Sequence, residues 1–143
     1  MSHDQPEPPA GPIIEPCAGG IVFDAARRLL VIHRGTPPAL GRWSVPGGRC
    51  RPGEASADAC VREVREETGV TVSVTRLVGR VERARPAGGS YVIDDFLCTA
   101  VGGVVRAGDD AADARWVTRV ELAALQLVPG LWDALDGWGQ LPD

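Results

Sequence analysis

Three glutamates, Glu63, Glu66 and Glu67, stand at spacings that an α-helix gathers onto one surface. At about 100° per residue they fall within an arc of roughly 100°. Like charges at i, i+3 and i+4 cost a helix about 0.2–0.5 kcal/mol per pair. A plain solvated face, the usual reading of helical charge, leaves that cost unexplained. Arg62 and Arg65 flank the arc and screen part of it. A hard divalent cation such as Mg²⁺ screens it better, because it takes carboxylate oxygens, keeps waters and fills its shell with phosphate oxygens. The spacing therefore predicts three carboxylates converging on one spot.

The element that must carry them runs to Gly69. Ala57, Cys60, Val61, Val64 and Thr68 form a second stripe, suited to burial, beside the acidic arc. Ser56 is expected as the N-cap, and Asp58 stands where the helix dipole favours an anion. Gly69 is expected to close the helix in the left-handed conformation that a residue without Cβ takes readily. Ahead of the helix, Trp43-Ser44-Val45 reads as a short strand delivering the chain to Pro46-Gly47-Gly48. There the backbone must either approach something closely or take positive φ.

From Gly48 through Glu54 to Arg62-Glu63-Val64-Arg65-Glu66-Glu67-Thr68-Gly69-Val70, the pattern resembles the Nudix box of Nudix hydrolases, with every fixed position met. The box covers about a sixth of the chain. The resemblance implies an α/β fold, an α/β/α sandwich with a mixed β-sheet. It implies Glu63, Glu66 and Glu67 as ligands of Mg²⁺ or Mn²⁺, with the Gly47 carbonyl as a further ligand. Glu66 or Glu67 would also polarise the attacking water. Arg62 takes the part of an orienting residue, its guanidinium fork holding a carboxylate in place. Glu54 is its expected partner, with a plain structural salt bridge as the alternative for both.

Composition excludes several other chemistries. The chain of 143 residues fits one domain, has net charge −4, and contains neither lysine nor asparagine. A P-loop lysine and a Schiff-base lysine are thereby ruled out, and His3 and His33 are too few for a multi-histidine zinc site. The acidic balance argues against nucleic acid as a partner. Cys17, Cys50, Cys60 and Cys98 lack C-x-x-C spacing and read as structural thiols of a reducing compartment. With no signal-peptide pattern and no membrane span, a cytoplasmic protein is expected.

The Pro- and acid-rich residues 1–16 read as a flexible arm, leaving 17–143 as the domain. Strands are expected at Cys17–Asp24, Leu29–Arg34, Thr71–Glu82, Ser90–Val101 and Ala114–Val117, with a further one at Gly102–Arg106. Thr118 and Glu121 form a capping box for a helix reaching Gln126, and Pro129 suits the first turn of a last helix, Gly130–Gly137.

A carboxylate cluster beside a Gly-Gly loop fits attack on a phosphoanhydride, where positioning and charge neutralisation carry most of the catalysis. The expected partner is a small nucleotide; no nucleic acid or membrane partner is expected, and a homodimer is left open. Arg34, Arg42, Arg83 and Arg85 are candidates for holding phosphate. Trp43, Trp116 and Tyr91 are candidates for stacking a base, Trp43 foremost because it leads into the metal loop, although core packing is the competing reading. For the general base, Asp110 in the acidic loop is favoured over Asp95 because a loop can close on substrate, and a base among the helix acids Glu63, Glu66 and Glu67 stands as the alternative to both. Two alternatives stand beside the hydrolase: a catalytically silent nucleotide-sensing domain, and an isomerase on the same fold. The complete acid set disfavours the first, and missing Cys and His ligands the second.

Overall fold

The computed structural model describes residues 13–35, 40–108 and 111–143. Its centre is a seven-stranded mixed sheet. The strands are β1 (Ile14–Phe23), β2 (Leu29–Arg34), β3 (Trp43–Ser44), β4 (Gly47–Arg49), β5 (Thr71–Ala84), β6 (Ser90–Gly102) and β7 (Ala111–Val117). The helices are α1 (Ser56–Thr68), α2 (Arg119–Ala123) and α3 (Leu131–Gly137). The main path runs β3-β2-β1-β6-β5, with β7 on β2 and β4 on β1. Only β1 and β6 pair in parallel among these strands.

Alternation along β1 sorts the two faces of the sheet. Val22 joins Cys60, Val64, Phe96 and Cys98 in a core under α1. Ile21 joins Leu122, Leu131, Leu135 and Leu97 in a second core under α2 and α3. The expected α/β/α sandwich is thus present. Gly20 lets α1 settle onto β1, since a Cβ there would stand 2.7 Å from Val64 Cγ2.

Several local expectations are corrected. β1 opens at Ile14 rather than Cys17, because residues from Ile14 onward pair with β6 from Ser90; residues 1–12 of the expected arm lie outside the described residues. The N-cap of α1 is Ala55, without a side-chain cap bond, and Ser56 is already helical. Gly102–Arg106 adds no new strand beyond the end of β6. Instead Arg106 N donates to Thr68 O at 2.8 Å and Gly108 N to Glu67 O at 3.1 Å, satisfying carbonyls that the end of α1 leaves open. The Thr118 capping box forms, yet α2 ends at Ala123. Beyond it the chain pairs with Trp43, through Trp43 N to Gln126 O and Val128 N to Trp43 O. Gly130 caps α3 rather than opening it.

Candidate active site

The acidic face of α1 is held in place by specific partners. Arg62, its side chain 17% exposed, grips Glu54 with two bonds: Nε to Oε2 at 2.9 Å and Nη2 to Oε1 at 2.8 Å. Its Nη1 reaches Glu63 Oε1 at 2.8 Å and Glu66 Oε2 at 3.2 Å, and Nη2 also donates to Arg49 O. One planar fork thereby fixes three carboxylates and the carbonyl at the end of β4, which a simple salt bridge does not do. The Arg62 bonds, helped by the Arg51 amide, pull the Glu54 carboxyl down to about 2. The same bonds raise the Arg62 guanidinium above its ordinary value.

Glu67 turns inward. It is 4% exposed, its Oε1 accepts from the Gly47 amide at 2.7 Å, and its Oε2 lies 3.8 Å from Arg34 Nη1. Glu63 lies over Gly48, where an added Cβ would sit 2.6 Å from its Cδ. Glu66 faces outward to Arg51 at 3.5 Å as well as to Arg62. The expected convergence on one spot is therefore corrected. Among the described residues no three carboxylate, His or Cys side chains stand ready around one ion. The cause is the Arg62 Nη1 between Glu63 and Glu66, together with the amide that holds Glu67. The donor chemistry still suits a hard cation: all three are carboxylates on one face, and two of them border the glycine backbone.

Gly47 and Gly48 are glycine for close approach and not for positive φ, which neither adopts. A Cβ on Gly47 would collide with Ala18 O, across the pairing of β4 with β1.

A cleft of about 810 Å³ connects these residues with the opposite face of the sheet. Glu63, Glu67, Gly47 and Gly48 line one part of it, together with Arg34 and Arg42; Val81, Arg83, Ile93, Asp95 and Pro129 line another. Trp43 is corrected as a stacking residue. It is 7% exposed, sits in the core under α2 and α3, and has His33 against it at 5.0 Å and the Arg115 guanidinium over its ring at 4.6 Å. Trp116 packs against the α1-side core. Tyr91 does line the cleft, its hydroxyl accepting from Arg49 at 3.1 Å. Asp110 lies outside the described residues.

Asp95 is the residue whose position the sequence did not supply. It shares a face with Leu97, on the α2 and α3 side, and so points away from α1. It is 7% exposed, and burial pushes its carboxyl up to about 7, with Arg83 opposing the rise. Asp94 faces the other way and pairs with Arg80.

The α/β/α sandwich with a glutamate-bearing helix beside a glycine strand is the arrangement of a class of hydrolases acting on acid anhydrides. A model of the NUDIX domain matches residues 14–137, and the chain belongs to the Nudix hydrolase family. It is 33% identical to the ADP-ribose pyrophosphatase of Methanocaldococcus jannaschii over 66% of this chain and 57% of that protein. It is 35% identical to the 8-oxo-dGDP phosphatase of Mus musculus over 66% of this chain and 29% of that protein. The chain thus spans only part of the length of these two relatives. The MutT protein from Methanosarcina mazei has the same fold, with a TM-score of 0.77 at 20% identity over 88% of this chain and 93% of that one. No helix among the described residues is long and apolar enough to cross a membrane.

Proposed function

We propose that this Nudix hydrolase cleaves, with Mg²⁺ or Mn²⁺, the phosphoanhydride of a nucleoside diphosphate linked to another group, either ADP-ribose-like or a nucleoside triphosphate. The observation that carries this reading is the half-open cleft that joins Glu63, Glu67 and the Gly47-Gly48 backbone to a partly apolar compartment. Its volume is in the range that encloses a nucleotide-sized ligand.

Glu63, Glu66 and Glu67, with the Gly47 carbonyl, would hold the cation. When bound, it supplies charge neutralisation on the diphosphate and a nucleophile from water near neutral pH. Arg62 keeps Glu63 and Glu66 on one side of the helix and prevents them from swinging free. Arg34 and Arg42 present guanidinium groups to the cleft for the phosphates. Asp110 is the proposed base. Gly108 N, two residues before it in sequence, donates to Glu67 O at the end of the acid-bearing helix. Asp110→Asn should lower kcat with KM little changed; a loss below about threefold returns the base to the helix acids.

The test is a substrate panel of ADP-ribose, dGTP, 8-oxo-dGTP and ATP, assayed for released phosphate products with Mg²⁺ and with chelator. Turnover of at least one nucleotide that disappears with chelator is expected. Silence across the panel, or equal turnover in chelator, overturns the reading.

A further inference from the structure

A basic row of side chains crosses the end of the cleft, against the acidic balance of the chain as a whole. Tyr91 of β6 stands opposite both Glu15 of β1 and Arg83 of β5, and Arg49 reaches its hydroxyl from the end of β4. Glu15 is shared: its Oε1 lies 3.3 Å from Arg49 Nε, and its Oε2 lies 3.3 Å from Arg85 Nε. Both spacings exceed the roughly 2.7–2.9 Å of a strong charge-assisted bond. Arg85 Nε, although buried, has no aligned hydrogen bond among the described residues. Arg83 donates to a neutral acceptor, Pro129 O. Even with Asp95 counted, further along the same face of β6, three guanidinium groups face two carboxyl groups. In a chain of net charge −4, a local excess of this sign attracts an anion.

The row is also held ready. The Arg49 and Arg85 guanidinium carbons lie 5.6 Å and 5.9 Å from the Tyr91 ring centroid, and Arg85 Nη1 donates to Gly88 O at 3.2 Å. The Tyr91 hydroxyl accepts from Arg49 and so keeps its own O–H to donate. Arg49, Arg83 and Tyr91 all line the cleft. Two guanidinium forks and a hydroxyl present donors in several planes, which suits the tetrahedral oxygens of a phosphate monoester; a planar carboxylate is matched by one fork. The row stands apart from the Gly47-Gly48 backbone. Gly48 is opposite Ala18, and Glu15 is three residues earlier on β1, roughly 10 Å away at the rise of a strand. A group held there lies about one sugar beyond the diphosphate.

Resting on the nucleotide hydrolase reading above, we propose that Arg49, Arg83 and Tyr91 form a second anion subsite, which takes a phosphate monoester carried on the ribose of the substrate.

The experiment measures, by calorimetry in Mg²⁺, the binding of AMP, adenosine 3′,5′-bisphosphate and adenosine 2′,5′-bisphosphate to wild type, Arg49→Gln and Arg83→Gln. Wild type should bind at least one bisphosphate about 10–100-fold more tightly than AMP, the range of a charge-assisted fork. Each variant should bring that ratio below about threefold. Arg28→Gln removes the same charge at the turn between β1 and β2, where Arg28 pairs with Asp24, and should keep the wild-type ratio. A thermal melt of each variant shows that it is folded; the Arg49 side chain is 63% exposed, so its loss should leave the core intact. Equal binding of AMP and both bisphosphates in wild type, a ratio that survives in both Arg49→Gln and Arg83→Gln, or an equal loss in Arg28→Gln overturns the inference. Turnover in the substrate panel together with equal binding fails this inference alone. A silent panel together with a bisphosphate preference lost in the two variants fails the hydrolase reading alone.

Discussion

The amide of Gly47 donates to Oε1 of Glu67 at 2.7 Å, tying the last acid of α1 to the glycine strand across a gap of 20 residues. From spacing alone, removing a charge from the acidic arc should relieve repulsion and stabilise the fold. The bond changes that expectation, because Glu67 is already compensated by an N–H donor and by Arg34 nearby.

Glu67→Gln keeps an acceptor for the Gly47 amide, so its melting temperature should stay near wild type. Its kcat should fall by about 100-fold or more if, as proposed, Glu67 holds the metal, since a neutral amide then replaces a carboxylate ligand. Glu67→Ala should in addition lose about 1 kcal/mol of stability by leaving the half-buried Gly47 amide without its acceptor. Near wild-type turnover in Glu67→Gln removes Glu67 from the metal set.

Arg62→Lys replaces a fork with a single ammonium and cannot hold Glu54, Glu63 and Glu66 together. Activity should drop about 10–100-fold, the range for positioning groups behind metal ligands. The pH dependence follows from Glu54, ordinarily at 4.5 and held at about 2 in the fold. Its contribution to stability is complete above 4.5 and is lost as pH falls through about 2, so acid titration should show the loss in that window. Urea unfolding across the window should show a shallower loss in Arg62→Lys; an identical acid limb would mean that Glu54 is held by other groups.

Gly69 has φ of 76° at the end of α1, and a Cβ there would sit 2.8 Å from Val104 O. Gly69→Val should therefore cost about 1–2 kcal/mol or more, from the left-handed backbone and the contact together. Chemical denaturation measures this directly, and an unchanged midpoint would show that the helix can end another way.

Asp95 titrates in the opposite sense from Glu54. Its ordinary value is 3.8 and burial raises it to about 7, so between these values the folded state binds the proton more readily than the unfolded one. Stability should then fall as pH rises from about 3.8 to about 7, and level off above. In Asp95→Asn this fall should be absent from a series of thermal melts across pH. A persisting slope would assign it to another group.

The sequence by itself determined the local features. The 3.6-residue period placed the acids on one helix face and the apolar stripe on the neighbouring one. The steric freedom of Gly69 set the end of that helix, and Thr118 with Glu121 set the start of another, because these depend on residues a few positions apart. The box spacing likewise placed Glu54 and Arg62 in one network. Tertiary structure alone decided where the charges came to rest. Glu67 turned to an amide 20 residues earlier in the chain, and Glu63 settled over Gly48, once β4 had paired with β1. Trp43, the favoured stacking residue, went into the core because the segment around Leu127 and the Arg115 side chain close over it. The face taken by Asp95 followed from the register of β6 between β1 and β5. Alternation says that Asp94 and Asp95 diverge; only the pairing of Asp95 with Gly19 and Gly79 says which one meets the cleft.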